Sequence, residues 1–241
     1  MVNVYTLEGK VKGKVELPGV FATPYRPDVI QRTVVAEQAS LRQPHGTDPL
    51  AGLRTSADYF GSRRHSFRQT INKGQSRLPR VKTGGGGLGR VKRIPQSVGG
   101  MRAHPPKGRD YSRKVNRKER ELALKSAVAA TAARQLVIDR GHRIGEIELP
   151  IVVEDRIEGV KKASELVKAL GSLGLGEELN SIRKSKMLIV VSEDRGVGAA
   201  AGSLAGVDVA ALNELDVRLL APGTHAGRLT VWGETAIKNV K

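Results

Sequence analysis

Residues 186–192 read KMLIVVS, and this run decides the fold class of the chain. An unbroken apolar segment between polar ends is typical of a strand that is buried on both faces, as in a parallel sheet. Two further apolar segments, Ile147–Val153 and Leu229–Val231, are predicted strands, and Val160–Leu173 is a predicted amphipathic helix. Alternating strands and helices predict a three-layer α/β fold, in which helices cover a mostly parallel sheet.

The remaining periodic segments extend this pattern to both ends of the chain. Asp28 with Gln31, and Asn116 with Glu119, have the spacing of helix capping boxes, so we expect a helix to begin at each. The further expected elements are strands at Val2–Leu7, Lys14–Leu17 and Val217–Ala221, and helices from Asp28 to about Leu41 and at Arg117–Arg140, Ala205–Leu212 and Glu234–Val240.

Between the two capped helices lies a basic stretch, Arg42–Lys118, that carries nearly all the excess charge. It holds 19 Lys and Arg against the three acids Asp48, Asp58 and Asp110, whereas the rest of the chain holds 22 bases and 21 acids. The stretch also contains 12 of the 28 glycines and shows no sustained helical or strand period. Structureless connections of this length are rare in compact domains.

The basic stretch has too few apolar residues to offset the entropy of ordering its backbone, about 1–2 kcal/mol per residue. We therefore expect it to be disordered alone and to order on a dense polyanion such as a nucleic acid. Because the flanking helices belong to one body, residues 1–43 and 112–241 are predicted to form a single globular α/β domain. Residues 44–111 are predicted to form an extended internal arm, not a separate domain.

The composition excludes several function classes. There is no cysteine, so disulfides, thiolate metal sites and cysteine nucleophiles are excluded, and a reducing, cytoplasmic location is expected. Aromatic residues make up only 3% of the chain, which leaves few base-stacking surfaces. The N-terminal residues MVNVYTLEGK lack the pattern of a secretion signal, and no run of 18 apolar residues occurs. We expect a protein with no membrane partner.

Three patterns resemble catalytic or ligand sites but lack the required context. Gly84–Gly89 fits G-x-G-x-x-G, yet it does not join a buried strand to a helix, and no acid follows at the spacing of a dinucleotide site. The five histidines are too scattered to predict a metal site, and His142 is expected to be a helix-end residue. The acid pairs Glu154-Asp155 and Glu193-Asp194 follow strands, where enzymes keep carboxylates, but are expected to be exposed loop acids. We predict no catalytic residues, cofactor, metal or small-molecule substrate.

Aromatic residues interleave with arginines in one part of the basic stretch. Tyr59, Phe60 and Phe67 lie among Arg63, Arg64 and Arg68. They are candidates to stack on unpaired bases. A small hydrophobic patch that packs against protein is an equal alternative.

Several long motifs resemble the universal large-subunit ribosomal protein four family, in its archaeal and eukaryotic branch. The resemblance covers essentially the whole chain. It is carried by LPRVKTGGGGLGRVKRIP from Leu78, GGMRAHPPK from Gly99, YSRKVNRKER from Tyr111 and ALKSA from Ala123, and by the shorter motifs YRPD from Tyr25, GLRT from Gly52, APG from Ala221 and GRL from Gly227.

The resemblance implies a structural constituent of the large ribosomal subunit, without catalysis, whose long loop binds large-subunit rRNA and helps form the wall of the nascent-peptide exit tunnel. It implies other large-subunit ribosomal proteins as partners, and no homo-oligomer. Lys82–Arg93 is the implied tip of the loop. The candidate RNA-binding residues are Arg54, Arg63, Arg64, Arg68, Lys73, Arg77, Arg80, Lys82, Gly84, Gly85, Gly86, Gly87, Gly89, Arg90, Lys92, Arg93, Arg102, Lys107, Arg109, Arg113 and Lys114.

One departure from the family pattern concerns an insertion. Archaeal relatives usually carry a longer Gly/Arg/Lys-rich segment before the KMLIVVS-type strand, and here only Ile182–Lys186 stands in its place. Two alternative functions stay open at this point. One is an α/β nucleotide- or phosphate-binding enzyme with a basic lid, and the other is a DNA-packaging protein.

Overall fold

The structure is a computed structural model that describes residues 1–59, 74–145, 147–181 and 186–240. The chain divides into two compact units. The first, here called the α/β unit, comprises Met1–Leu41 and Ser112–Lys241, and the second, the basic unit, comprises Arg42–Tyr111. No helix in the described ranges is long and apolar enough to cross a bilayer.

The strands and helices follow in chain order, with short 3₁₀ turns between some of them. The strands are β1 Val2–Tyr5, β2 Val11–Val15, β3 Arg80–Lys82, β4 Leu88–Val91, β5 Ile151–Val153, β6 Met187–Val191, β7 Val207–Ala211 and β8 Leu229–Gly233. The helices are α1 Pro27–Leu41, α2 Arg117–Ala132, α3 Arg134–Asp139, α4 Ala163–Ser172, α5 Gly176–Leu179, α6 Val197–Ala201, α7 Val217–Leu220 and α8 Glu234–Asn239.

The α/β unit is built on one six-stranded sheet with the order β2-β1-β5-β8-β6-β7. Only the β1–β2 pair is antiparallel, and all other neighbours run parallel. The predicted KMLIVVS strand is β6, which lies between β7 and β8, with Ile189 in register with Val209 on one side and Val231 on the other. Every residue of β6 is buried, because helices cover both of its faces. The predicted fold class is confirmed.

Side chains of successive strand residues enter two separate cores, one on each face of the sheet. Leu188 and Val190 pack in one core with residues of α1, α2, α7 and α8, whereas Ile189 and Val191 pack in the other with residues of α3, α4 and α6. Trp232 of β8 belongs to the first core and is fully buried. Its ring and that of Phe21 pack in a T-shaped arrangement, with 5.7 Å between the ring centroids. The two cores give the three layers that the sequence predicts.

Two elements of the α/β unit were assigned the wrong secondary structure from the sequence. Ala205–Leu212 was expected to be a helix, but it contains strand β7, whose alanines and valines pair with β6. Val217–Ala221 was expected to be a strand, but it forms α7, which begins after Asp216 and buries Val217 and Leu220 on one side. Pairing with a central strand overrides the helix propensity of alanine, and a short apolar run does not by itself distinguish strand from helix.

The helix expected over Arg117–Arg140 is two helices, since the backbone of Ala133 is extended and separates α2 from α3. Asn116 occupies the N-cap position of α2, but its side chain makes no capping hydrogen bond. Asp28 is not an N-cap, because α1 begins at Pro27 and places Asp28 in the first turn. The Arg26 guanidinium, 2.8 Å from its carboxylate, lowers the pKa of Asp28 to about 2.

Candidate nucleic-acid interface

The basic unit contains a short antiparallel hairpin of β3 and β4, in which Arg80 is in register with Val91 and Lys82 with Leu88. A 3₁₀ turn, Gly84–Gly86, joins the strands, and Gly85 has φ +74°, a left-handed conformation that favours glycine. The Gly84–Gly89 motif thus connects two antiparallel strands of a hairpin. A dinucleotide site requires a strand followed by a helix, so this motif lacks the geometry of one.

Four of the predicted RNA-binding cations contact groups of the basic unit itself. Arg54 pairs with Asp48 at 2.8 Å, and Lys82 pairs with Asp58 at 3.2 Å and lowers the pKa of that carboxyl. Arg80 donates to Ser76 Oγ at 3.0 Å, and Arg93 donates to the Ala57 carbonyl at 3.3 Å. The side chains of these four cations therefore already have partners within the basic unit.

The side chains of the other predicted cations in the described ranges make no hydrogen bond or ion pair there. Their charges stay available to an external anion, and the local acids are too few to neutralise them. They are Arg77, Arg90, Lys92, Arg102, Lys107 and Arg109 in the basic unit, and Arg113 and Lys114 in the α/β unit.

The predicted site glycines differ in what surrounds them. A Cβ atom at Gly89 would lie 2.5 Å from the Val81 carbonyl oxygen, so the hairpin itself requires glycine there. Gly84, in contrast, has no heavy atom within 4 Å of the position of a Cβ atom. Close approach of backbone to backbone therefore explains Gly89 without any ligand, whereas Gly84 leaves open space beside the hairpin turn.

Three of the unpaired cations meet around one concave site, here called the basic cavity. It has a volume of about 690 Å³ and is lined by Arg102, Lys107 and Arg109 together with His45, His104, Pro105, Pro106, Gly108 and Tyr111. None of the described residues that line it is acidic. Tyr111 stacks under the Arg42 guanidinium, 4.2 Å from the ring centroid. A positively charged concavity of this kind suits phosphate groups.

The histidines and Tyr111 of the basic cavity were not among the predicted site residues. His45 and His104 were considered only as metal ligands, for which they are too scattered in sequence. The sequence signal nearest to them is the Ala103–Lys107 segment, AHPPK, in which His104 precedes two prolines and a lysine. In the structure the Pro106 carbonyl of this segment accepts a hydrogen bond from the Thr47 amide. That bond brings the neighbourhood of His45 next to the segment.

Some predicted residues lie outside the described ranges. They are Arg63, Arg64, Arg68 and Lys73, with the aromatic residues Phe60 and Phe67. Tyr59, which begins the same aromatic group, is 54% exposed. Ile182–Ser185, which stands in place of the longer insertion, also lies outside these ranges.

The carboxylates at the carboxyl edge of the sheet serve the α/β unit itself. Asp194 accepts hydrogen bonds from the amides of Gly196 and Gly198, which lower its pKa. Asp155 accepts one from the Thr235 amide at 2.8 Å, which caps α8. Glu154 was expected to be an exposed loop acid, but it is buried, with Lys12 at 3.8 Å. These acids hold loops in place.

His142 follows the end of α3, as the sequence predicted, and its amide donates to the Val137 carbonyl. Its Nδ1 lies 2.7 Å from Glu178 Oε1, and both side chains are fully buried. The other Glu178 oxygen accepts the Arg143 amide at 3.0 Å, so the pair fastens the end of α3 to α5. Among the residues described, no group of three or more His, Cys, Asp or Glu is arranged to hold a metal ion.

Fold and site together define a class of protein, an α/β domain that carries a separate, strongly cationic unit with many unpaired Lys and Arg side chains. The chain belongs to the ribosomal protein L4/L1 family, whose model matches residues 15–241. It is similar along its length to the archaeal proteins named large ribosomal subunit protein uL4. The identity is 43% with that of Haloquadratum walsbyi (99% of this chain, 98% of the relative) and 41% with that of Methanosphaera stadtmanae (99% and 95%). With that of Archaeoglobus fulgidus it is 40% (98% and 96%).

Proposed function

We propose that this protein is a structural constituent of the large ribosomal subunit and binds large-subunit rRNA through its basic unit. The observation that carries the proposal is the set of unpaired cations in the basic unit of a chain that belongs to this ribosomal family. Lys and Arg neutralise phosphates and release counterions, which supplies affinity without base readout. The acids at the sheet edge are occupied within the fold, so the enzyme alternative gains no support from them.

The RNA-contacting set that we propose is the full set predicted from the sequence, with residues 44–111 as the loop that enters the RNA. Arg102, Lys107 and Arg109 form one contact point in the basic cavity. We propose Lys82–Arg93 as the part of the loop that reaches the wall of the peptide exit tunnel. Other large-subunit proteins are the proposed partners of the α/β unit.

Salt dependence of RNA binding tests this function. The full chain should bind protein-free large-subunit rRNA with an affinity that falls steeply with salt, by a log–log slope of about −0.7 to −0.9 for each phosphate contacted. A slope near zero would contradict the proposal. The chain should also sediment with large subunits and stay bound at moderate salt.

Competition with duplex DNA separates the DNA-packaging alternative. A protein that recognises the shape of folded RNA should prefer rRNA at equal phosphate concentration, because RNA displays 2′-hydroxyls and irregular backbone that DNA lacks. Equal competition by a DNA duplex would favour the alternative.

A further inference from the structure

A second concave site lies in the α/β unit, away from the sheet edge. This cavity, here called the Glu37 cavity, has a volume of about 290 Å³. Its walls come from α1, from the segment that leads into α2, and from the start of α7. The lining residues are Thr33, Ala36, Glu37, Ser40, Leu41, Arg113, Val115, Arg120, Asp216 and Arg218. The volume is near the lower limit of about 300 Å³ for small-ligand sites, so it suits a single small group.

Two buried oxygen atoms in this cavity lack hydrogen-bond partners. Thr33 is 1% exposed and its Oγ1 has none, and neither has Oε1 of Glu37, one helical turn further along α1. Buried polar atoms are nearly always hydrogen-bonded, so two such atoms on one helix face indicate a missing partner group. The last side-chain torsion of a glutamate, χ3, has broad energy minima, so the Glu37 carboxylate can rotate toward a ligand without movement of the helix.

The surroundings of Glu37 keep its carboxylate in place but do not neutralise it well. Its Oε2 accepts the Arg218 amide at 3.0 Å, and the Arg120 guanidinium lies 3.6 Å from Oε1, while Arg120 also pairs with Asp216 at 2.9 Å. Burial raises the pKa of Glu37, although the Arg218 amide and Arg120 act against this. A carboxylate that is largely buried, with its side chain 15% exposed, costs stability, which is typical of functional sites.

Two guanidiniums that line the same cavity make no ion pair in the described ranges. Arg113 and Arg218 belong to different elements, and their side chains have no carboxylate or carbonyl partner there. Three arginines and two acids line the cavity, and Lys114 and Lys118 on the adjoining segment add further positive charge. A polyanion is therefore attracted to the cavity, and a cationic peptide is repelled.

We propose that the Glu37 cavity binds one unpaired guanine nucleotide of the RNA. Guanine carries two parallel N–H donors, N1–H and N2–H, which match the two oxygens of a carboxylate. Glu37 would accept both, Thr33 would hydrogen-bond the base edge, and Arg113 and Arg218 would bind the adjacent phosphate. Recognition of RNA sequence through the Watson–Crick edges of unpaired bases is the usual mode for proteins. This inference rests on the proposed function, since it assigns a base-specific contact to the same RNA.

Mononucleotides test the site on the full-length protein. Equilibrium dialysis with GMP, IMP and AMP should show GMP bound at least about fivefold more tightly than AMP, since a bidentate base contact discriminates by that much or more. IMP lacks the exocyclic amine and should lie between them. Equal affinities for GMP and AMP would overturn the proposal.

Substitutions in the full-length protein test which residues give the preference for GMP over AMP. Glu37→Gln keeps the size of the side chain but replaces one acceptor oxygen with an N–H donor, so GMP should fall to the affinity of AMP while AMP stays unchanged. Glu121→Gln, which removes an exposed carboxylate paired with Arg117 on α2, is the matched control and should keep the preference. Arg113→Gln with Arg218→Gln should weaken all three nucleotides alike. A guanine preference that survives Glu37→Gln would place the site elsewhere.

The outcomes separate this inference from the proposed function. If rRNA binding is salt-dependent but the guanine preference is absent, the inference fails and the function stands. If rRNA does not bind at all, the function fails, whatever the mononucleotides do. Tighter binding of argininamide than of GMP, lost in Glu37→Gln, would overturn the inference in favour of an arginine side chain of a neighbouring protein.

Discussion

The two units of this chain use charge in opposite ways. In the α/β unit most buried charges are paired inside the fold, as in the Arg228 guanidinium, which donates to the Leu219 and Met187 carbonyls and pairs with Asp208. In the described part of the basic unit, Ala57 is the only buried apolar residue, and six of the predicted RNA-binding cations are unpaired. The α/β unit is thus stabilised by burial, whereas we expect the basic unit to depend on an external anion for much of its stability.

The largest expected effect is a loss of stability, and it tests whether the hydrophobic core of the protein lies in the α/β unit. Ile189→Ala in the central strand removes a fully buried side chain and should lower the free energy of unfolding by about 2–5 kcal/mol. Val98→Ala in the basic unit, where the side chain is 90% exposed, should change it little. Chemical denaturation of both variants measures the difference. Similar losses would contradict the contrast between the units.

A second prediction concerns the basic cavity. Substitution of Arg102, Lys107 and Arg109 together by Gln should weaken rRNA binding on the order of 100-fold at low salt, and should reduce the salt slope by about two to three, since three phosphate contacts are lost. The midpoint of unfolding should not change. Substitution of Lys161, Lys162 and Lys168 by Gln removes the same charge from the α/β unit and is the control. Equal losses in both triple variants would show that only net charge matters.

A third prediction separates local packing of the basic unit from global stability. A Cβ atom at Gly100 would lie 1.9 Å from the Ile94 carbonyl oxygen, so Gly100→Ala must displace the backbone there, at a cost of about 1–3 kcal/mol. Hydrogen exchange should become faster in the basic unit, and rRNA affinity should fall. Gly108→Ala, where no atom lies within 4 Å of the new Cβ, should leave hydrogen exchange in the basic unit unchanged. Faster exchange in the sheet would contradict the independence of the two units.

The smallest predicted effect is the pH dependence of stability from Glu37. Because burial raises its pKa, the folded state holds this proton more tightly than the unfolded state does. Stability from this group is therefore highest in acid and falls as pH rises from the ordinary glutamate pKa, about 4.3, to the raised value. Glu37→Gln should remove this loss and gain relative stability at neutral pH. Thermal unfolding from pH 3 to 8 measures it, and an opposite slope would contradict a buried, poorly neutralised carboxylate.

Much of the fold could be predicted because its signals are local. The apolar composition of the β6 run predicts a buried strand, and the spacing of apolar residues in α1 and α2 predicts helices. The errors fall where local and long-range terms compete. β7 carries alanines that favour a helix, but it gains more from pairing along β6. The break at Ala133 follows the docking of α3, in which Arg134 donates to the Gly145 and Ile147 carbonyls.

The location of the excess positive charge could be predicted from the sequence, but the surface that these side chains form could not. Composition located the excess of Lys and Arg, yet it could not distinguish Arg54, which pairs with Asp48, from Arg102, whose side chain has no partner among the described residues. Nor could it show that His45 and His104 share a cavity, because their proximity depends on contacts between distant residues, such as the Thr47–Pro106 hydrogen bond.

Composition, periodicity and short spacing were enough to predict the α/β class, the concentration of positive charge between two helices, and the motifs that identify the family. The contacts of the folded chain were needed to show which acids accept hydrogen bonds from loop amides and which described cations lack a partner. They were also needed to show that Thr33, Glu37, Arg113 and Arg218 line one cavity. Pairing and burial depend on contacts between residues far apart in the chain, and no local pattern in the sequence reports such contacts.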